Sequence, residues 1–87
     1  MKVIATDKLI KAQQLYPSAT ETLLGWYQII KQSKFPSEND LKISFGELYS
    51  FGRQFEFRVP GTTLLIYTLI NFETQVAYIQ KIQPSQI

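Results

Sequence analysis

The sequence predicts one α+β domain: an antiparallel β-meander with a short N-terminal strand and two to three helices packed on one face. The first observation is a set of three β-type runs, residues 53–59, 63–70 and 75–82, separated only by turn-sized gaps. The second is the helical spacing of apolar residues in the first half of the chain. A length of 87 residues allows a single domain, 1–87, with a small core.

Composition narrows the possible chemistry. The chain has no cysteine and no histidine, which excludes a thiol nucleophile, a zinc–thiolate site, a disulfide framework and a histidine general base. We expect no metal and no cofactor. The net charge of +2 and a pI near 9.0 favour a nucleic-acid partner only weakly. With neither a secretory leader nor an apolar run of about 18 residues, we expect a cytoplasmic protein that does not span a membrane.

The N-terminal part is expected to form a strand and a helix. Residues 3–5 are apolar and could pair with an edge of the meander. Thr6 or Asp7 is the expected cap of the helix that follows, because short polar side chains accept hydrogen bonds from the first helical N–H groups. Pro17 is expected to end that helix. One face of it carries Leu9, Ala12 and Tyr16.

A second helix is expected to begin at Ser18, which forms a capping-box pattern with Glu21. The apolar stripe of this helix consists of Leu23, Trp26, Tyr27 and Ile30. Pro36 prevents its continuation, and Ser37 is expected to cap a short third helix ending near Phe45. Residues 48–52 are expected to lead into the meander.

The turns of the meander can also be assigned. Pro60 and Gly61 fit a type II turn, in which glycine takes the positive φ of the third position. Asn71 begins a four-residue gap short enough for a hairpin. The run 53–59 alternates apolar and polar residues, which predicts a half-buried strand, whereas the run 63–70 is apolar on both faces and is placed centrally.

This order of elements, with several short motifs, resembles the HigB-type toxins of bacterial type II toxin–antitoxin modules, within the RelE-like superfamily. The resemblance covers nearly the whole chain. The motifs that carry it are Val3-Ile4, Tyr16-Pro17, Leu23-Leu24-x-Trp26-Tyr27, Asp40-Leu41-Lys42, Phe57-x-Val59-x-Gly61 and Gln75-x-x-Tyr78-Ile79.

The resemblance implies a compact protein whose sheet presents a basic face to messenger RNA in the ribosomal A site and cleaves it without a metal. It also implies a cognate helix-turn-helix antitoxin that masks this face. The chain departs from the family after Gly61, where a basic residue, an aromatic and an arginine are usual but Thr63, Leu64 and Leu65 stand here. Gln80 replaces another usual arginine.

Cleavage of RNA by its own 2′-OH needs a base, a cation for the phosphorane charge and an acid for the leaving oxygen. The candidate catalytic residues in this chain are Arg53, Glu56, Arg58 and Lys81. A purely structural interpretation is also open. Glu56 and Arg58, two residues apart, could form an exposed pair worth at most about 1 kcal/mol, and Lys81 could be an edge lysine that discourages sheet-to-sheet pairing.

Two functional hypotheses follow. In the first, the chain is an active ribosome-dependent messenger-RNA endonuclease, with Lys34 and Lys42 as further RNA-binding residues. In the second, it is a toxin-like binding module without catalysis that associates with an antitoxin, the ribosome or another copy of itself. The second rests on an apolar row that would otherwise face RNA and is suited to an interface. That row consists of Leu65, Tyr67 and Leu69.

Overall fold

The computed structural model describes residues 1–85 and confirms the α+β class. The elements are β1 (Lys2–Ile4), α1 (Thr6–Leu15), a 3-10 turn (Pro17–Ala19), α2 (Thr20–Gln32), α3 (Glu38–Ser44), β2 (Leu48–Phe51), β3 (Gln54–Arg58), β4 (Leu64–Asn71) and β5 (Val76–Pro84). The strands form one sheet in the order β1-β5-β4-β3-β2. Strand β1 runs parallel to β5, and the other neighbours are antiparallel. No helix within residues 1–85 has the length and apolarity needed to cross a bilayer.

The hydrophobic core lies between one face of the sheet and the helices. Phe57 of β3 is its centre, because Trp26 of α2 and Phe45 after α3 both meet the Phe57 ring edge-on, with centroid distances of 5.3 and 5.0 Å. Leu41 of α3 is fully buried in the same cluster. The three helices therefore share one apolar layer with the sheet, as the sequence predicts.

The faces of the helices are predicted correctly, but two of the caps are not. Leu9 and Ala12 are buried on α1, and Leu23, Trp26 and Ile30 are buried on α2. Ala5 precedes α1 in the left-handed conformation, with φ 70° and no side-chain cap. The predicted cap at Thr6 or Asp7 is therefore wrong, since the helix already starts at Thr6.

The predicted capping box of Ser18 and Glu21 is also wrong. Ser18 lies inside the 3-10 turn, and α2 starts at Thr20, so Ser18 stands too far from the helix start to cap it. The predicted start of α3 is confirmed. The Asp40 carboxylate accepts hydrogen bonds from the Ser37 N–H at 3.1 Å and from the Ser37 hydroxyl at 2.8 Å, which fixes the chain entering the helix.

Both predicted turns of the meander are present. The Thr62 N–H donates to the Val59 carbonyl at 3.2 Å, and Gly61 has φ 75°, as a type II turn requires. In the second turn the Asn71 side-chain oxygen accepts hydrogen bonds from the Glu73 and Thr74 N–H groups at 2.9 and 3.1 Å. These contacts set the antiparallel pairing of β3, β4 and β5.

Two features of the sheet differ from the sequence prediction. Residues 48–51, expected to lead into the meander, form β2 and pair with β3. Strand β5 contains a bulge, because Thr68 pairs with Ile79 while its neighbour Tyr67 pairs with Lys81. The extra residue lets Ile79 and Ile82 both pack toward the core and leaves Lys81 on the opposite side.

Candidate functional site

The face of the sheet opposite the helices carries side chains from all five strands, and no helix within residues 1–85 packs over it. Its central β4 positions are partly covered by their neighbours, whereas Leu69 is 39% exposed and Phe51 is 86% exposed. Monomeric proteins rarely leave a large apolar patch in water without a functional reason. We term this surface the open face, and its residues include Ile4, Tyr49, Phe51, Gln54, Glu56, Arg58, Leu65, Tyr67, Leu69, Tyr78 and Lys81.

The middle of the open face is a row of paired residues that crosses four strands. Tyr67 on β4 pairs with Lys81 on β5 and with Glu56 on β3, and Glu56 pairs in turn with Tyr49 on β2. The Lys81 Nζ lies 4.6 Å from the centroid of the Tyr67 ring. Since neighbouring strands are about 4.8 Å apart, the row places an ammonium, a phenol ring and a carboxylate side by side on an exposed surface.

Arg58 lies two residues beyond Glu56 at the end of β3 and on the same face. Its Nε is 3.2 Å from the Glu47 carboxylate, and both side chains are about half exposed. Among the described residues, the salt bridge of Arg58 is thus made with Glu47 and not with Glu56. Arg58 is within the site that the sequence predicts, but it is held at one edge.

Arg53 is not brought together with the other candidates. It lies in the turn between β2 and β3, at the opposite end of β3 from Arg58, and is exposed. Four strand residues, 54–57, lie between the two arginines, and the five steps along the strand separate them by about 17 Å. Arg53 instead borders a separate depression of about 270 Å³ that Glu38 and Glu73 also line.

A second aromatic residue of the open face, Tyr78, also has a lysine ammonium over its ring. The Lys8 Nζ lies 5.3 Å from the centroid of the Tyr78 ring and donates to the Gln80 carbonyl at 2.7 Å. Lys8 comes from α1, which the sequence assigns to the helical half of the chain. Sequence reasoning missed this contact because 70 residues separate Lys8 from Tyr78 along the chain, and no local pattern links them.

The predicted interface row lies along β4, in the centre of the open face. Leu65 and Tyr67 are partly buried, and Leu69 is exposed. The two leucines extend the apolar surface to both sides of Tyr67, toward Arg58 at one end and Tyr78 at the other. The row is therefore available to a partner, as the second hypothesis requires.

The two further RNA-binding candidates belong to the helical layer. Lys34 is exposed in the segment between α2 and α3. The Lys42 Nζ is 3.0 Å from the Glu38 carboxylate, one turn earlier on α3. Hydrogen bonds from Lys42 and then from the Ser50 hydroxyl hold the pKa of Glu38 below its ordinary value. The structure does not bring Lys34 or Lys42 to the row around Tyr67.

Comparison with known proteins gives no match to this chain, either among protein-family models or among curated protein sequences. Within residues 1–85, no three acidic, histidine or cysteine side chains gather in a way that could hold a metal ion. The groups on the open face include a carboxylate, the cations of Arg58 and Lys81, an amide, phenol hydroxyls and apolar side chains.

Proposed function

We propose that this chain is a HigB-like toxin of a type II toxin–antitoxin module. In this proposal it acts in the cytoplasm as a ribosome-dependent, metal-independent endoribonuclease on messenger RNA in the ribosomal A site. The observation that supports it best is the central row of the open face, where Lys81, Tyr67 and Glu56 lie on adjacent strands. A carboxylate and an ammonium thereby lie on the two sides of an aromatic ring.

In the proposed reaction, the Glu56 carboxylate takes the proton of the ribose 2′-OH, which then attacks the adjacent phosphorus. In this proposal the Lys81 ammonium faces the phosphate, offsets its growing negative charge and gives a proton to the leaving 5′ oxygen. Tyr67 lies between the two groups and could support the base of the nucleotide under attack. Stacking on an aromatic side chain is worth about 1–3 kcal/mol per base in single-stranded RNA complexes.

Arg58 is the proposed second phosphate ligand. Its present partner, Glu47, is on the surface, and an exposed ion pair of this kind contributes only about 0–1 kcal/mol. Replacing it with a phosphate oxygen therefore costs little, while a guanidinium binds phosphate through two parallel hydrogen bonds. Lys8 and Tyr78 extend the same surface with a second aromatic and a second cation.

Different observations favour the second candidate, a binding module without catalysis. Arg53 is remote from the row, Arg58 is paired, and the open face exposes Leu69 and Phe51. Exposed leucine and phenylalanine fit a protein interface better than they fit a phosphate backbone. The partner would be the cognate helix-turn-helix antitoxin, the ribosome or a second copy of the chain.

Tightly controlled expression in a bacterial host, with growth curves and mapping of 5′ ends on translated messages, separates these candidates. For the nuclease we expect growth arrest and cuts within reading frames that disappear in Glu56→Gln and Lys81→Ala variants. Lys11→Ala is the matched control, because Lys11 is an exposed lysine of α1 outside the open face. Normal growth with intact messages and folded protein would contradict the nuclease. Cuts that persist in both variants would place the catalytic site elsewhere.

The binding module has its own test. The chain is co-expressed with the small helix-turn-helix protein encoded by the adjacent reading frame, where one is present, and the complex is measured by light scattering. We expect Leu69→Asp to abolish association, because a carboxylate then enters the apolar row at its most exposed residue. Leu15→Asp is the control, since Leu15 is exposed on α1. Equal association by both variants would contradict an interface on the open face.

A further inference from the structure

Strand β2 forms one edge of the sheet and has a free side. It pairs with β3 on one side only, because it stands last in the order β1-β5-β4-β3-β2. Tyr49, Ser50 and Phe51 are all exposed, so neither a helix nor a connecting segment within residues 1–85 covers the free side. An uncovered strand edge is a template on which another strand can pair.

The backbone groups on the free side belong to Leu48 and Ser50. The Arg58 N–H donates to the Glu47 carbonyl at 3.2 Å. In an antiparallel pair, Glu47 and every second residue after it therefore bond across to β3, and the residues between them direct their N–H and C=O groups to the other side. Leu48 and Ser50 thus offer donors and acceptors to an added strand.

The edge formed by β2 lacks the features that keep sheet edges apart. Residues 48–51 contain neither a charged residue nor a proline, and these are two common means of protecting an edge. The opposite edge, β1, is only three residues long and includes Lys2. Phe51 is 86% exposed, the largest value for a large hydrophobic residue within residues 1–85. Strand β2 is therefore the less protected edge.

The sequence around Ser50 is complementary to itself. Glu47 lies three residues before Ser50, and Arg53 lies three residues after it. If two copies of β2 run antiparallel with Ser50 opposite Ser50, each Glu47 comes opposite Arg53 of the second copy. Each Tyr49 then comes opposite Phe51 of the second copy. A register centred on Tyr49 would instead place Phe51 opposite Glu47, so the pattern of charges and aromatic rings favours the register centred on Ser50.

We propose that two copies of this chain pair antiparallel through β2, about a two-fold axis at Ser50. The Ser50 N–H of each copy donates to the Ser50 carbonyl of the other, and two cross-strand pairs of Tyr49 and Phe51 form beside this centre. The two sheets become one continuous sheet with the open faces side by side. This contact differs from the binding module above, in which a partner covers the open face itself.

The charged groups near β2 are compatible with this pairing. The Glu47 side chain is 63% exposed, and a carboxylate has two oxygens, so it can accept from Arg53 of the second copy while it keeps Arg58. On the helical side of the strand, Glu38 accepts a hydrogen bond from the Ser50 hydroxyl and forms a salt bridge with Lys42 at 3.0 Å. The charge of Glu38 is thus balanced within one copy.

Sedimentation of the purified chain over a series of concentrations tests the pairing. We expect a monomer–dimer equilibrium with a Kd on the order of 100 μM, because a four-residue strand gives a contact smaller than standard interfaces. Phe51→Lys should weaken association at least about tenfold, since it places a lysine on the edge. Ile43→Lys is the matched control, because Ile43 is 84% exposed on α3, and it should associate as the original chain does.

A pair of charge reversals tests the register. Glu47→Arg places arginine opposite arginine in a dimer of that variant, and Arg53→Glu places glutamate opposite glutamate. We expect each variant alone to associate more weakly than the original chain. An equal mixture of the two should regain association, because opposite charges then face each other at both positions. Circular dichroism of each variant verifies that it is folded.

Three results would overturn the proposal. One is a monomer at all concentrations up to about 1 mM, and another is equal association of Phe51→Lys and Ile43→Lys. The third is a mixture of the two folded charge variants that associates no better than either alone. Loss of association in Leu69→Asp but not in Phe51→Lys would also overturn it, by moving the contact to the open face. The samples contain no RNA, so failure of the proposed nuclease activity leaves these outcomes unaffected.

Discussion

The two faces of β4 are similar in sequence and opposite in environment. On one face Leu64, Ile66 and Ile70 are almost completely buried, and Ile66 has no exposed area at all. On the other, Leu65 and Tyr67 are partly exposed and Leu69 is exposed. Hydrophobicity on the first face is explained by the helices that pack against it. Hydrophobicity on the second face is not explained in this way, and it supports the proposed binding surface.

The largest expected effect tests this difference directly. Phe57→Ala should lower the free energy of unfolding by about 3–5 kcal/mol, because it removes the ring that both Trp26 and Phe45 contact and leaves a cavity. Leu69→Ala on the open face should cost less than about 1 kcal/mol. Urea unfolding followed by circular dichroism measures both. Equal losses would mean that the open face is also part of the folding core.

The next effect concerns two glycines, Gly61 in the turn between β3 and β4 and Gly25 in α2. Gly61→Ala should destabilise the chain by about 1–2 kcal/mol, because alanine is strained at φ 75°. Gly25→Ala should instead stabilise it by up to about 1 kcal/mol, since it lies within α2 and has open space around its Cβ position. Thermal unfolding of the two variants, compared with the original chain, checks the sign of each change. A stabilised Gly61→Ala variant would contradict the assigned turn.

The sequence predicts most of the fold because most elements have a clear period. The stripe of α2 and the alternation of β3 each follow from one packed face. Strand β2 has no such pattern, since Tyr49, Ser50 and Phe51 are all exposed and its position depends on hydrogen bonds to β3. The bulge in β5 is not predicted by the sequence for a related reason. It interrupts the alternation, so Lys81 and Ile82 exchange the faces that a regular strand from Ile79 would give them.

The candidate site is predicted in part. Glu56 and Arg58 share a face because they are two residues apart on a strand, and this relation is local. The position of Tyr67 between Glu56 and Lys81 depends on the register of three strands, which the turn chemistry constrains but does not determine. The distance between Arg53 and Arg58 can be predicted only when the extent of β3 is known. The contact between Lys8 and Tyr78 depends on the packing of α1 beside β5. No local sequence pattern around either residue predicts it.

A smaller effect, on RNA affinity, would show whether Lys8 beside Tyr78 of the open face contacts RNA. Lys8→Ala should weaken binding of a single-stranded RNA oligonucleotide about two- to fivefold, because it removes the cation beside Tyr78. It should also reduce the dependence of affinity on salt by about one phosphate contact. Fluorescence anisotropy at several salt concentrations measures both quantities. Lys11→Ala on the same helix is the control, and an equal loss in that variant would point to a diffuse charge effect.

The smallest expected effect is on stability and comes from the charged pair Glu38 and Lys42 in the helical layer. Because Lys42 and Ser50 lower the pKa of Glu38 in the folded chain, its ionised form contributes stability that is fully present above the ordinary value of 4.5. This stability is lost as the pH falls through the lower folded pKa. We measure the free energy of unfolding by urea unfolding between neutral and strongly acidic pH. It should fall less steeply with decreasing pH in Glu38→Gln than in the original chain. Lys42→Met should give an intermediate slope, because the Ser50 side chain still lowers the pKa of Glu38. If the slopes of both variants are unchanged, solvent screens this exposed pair completely. A large change in the RNA affinity of Lys42→Met would instead extend the proposed binding surface beyond the open face.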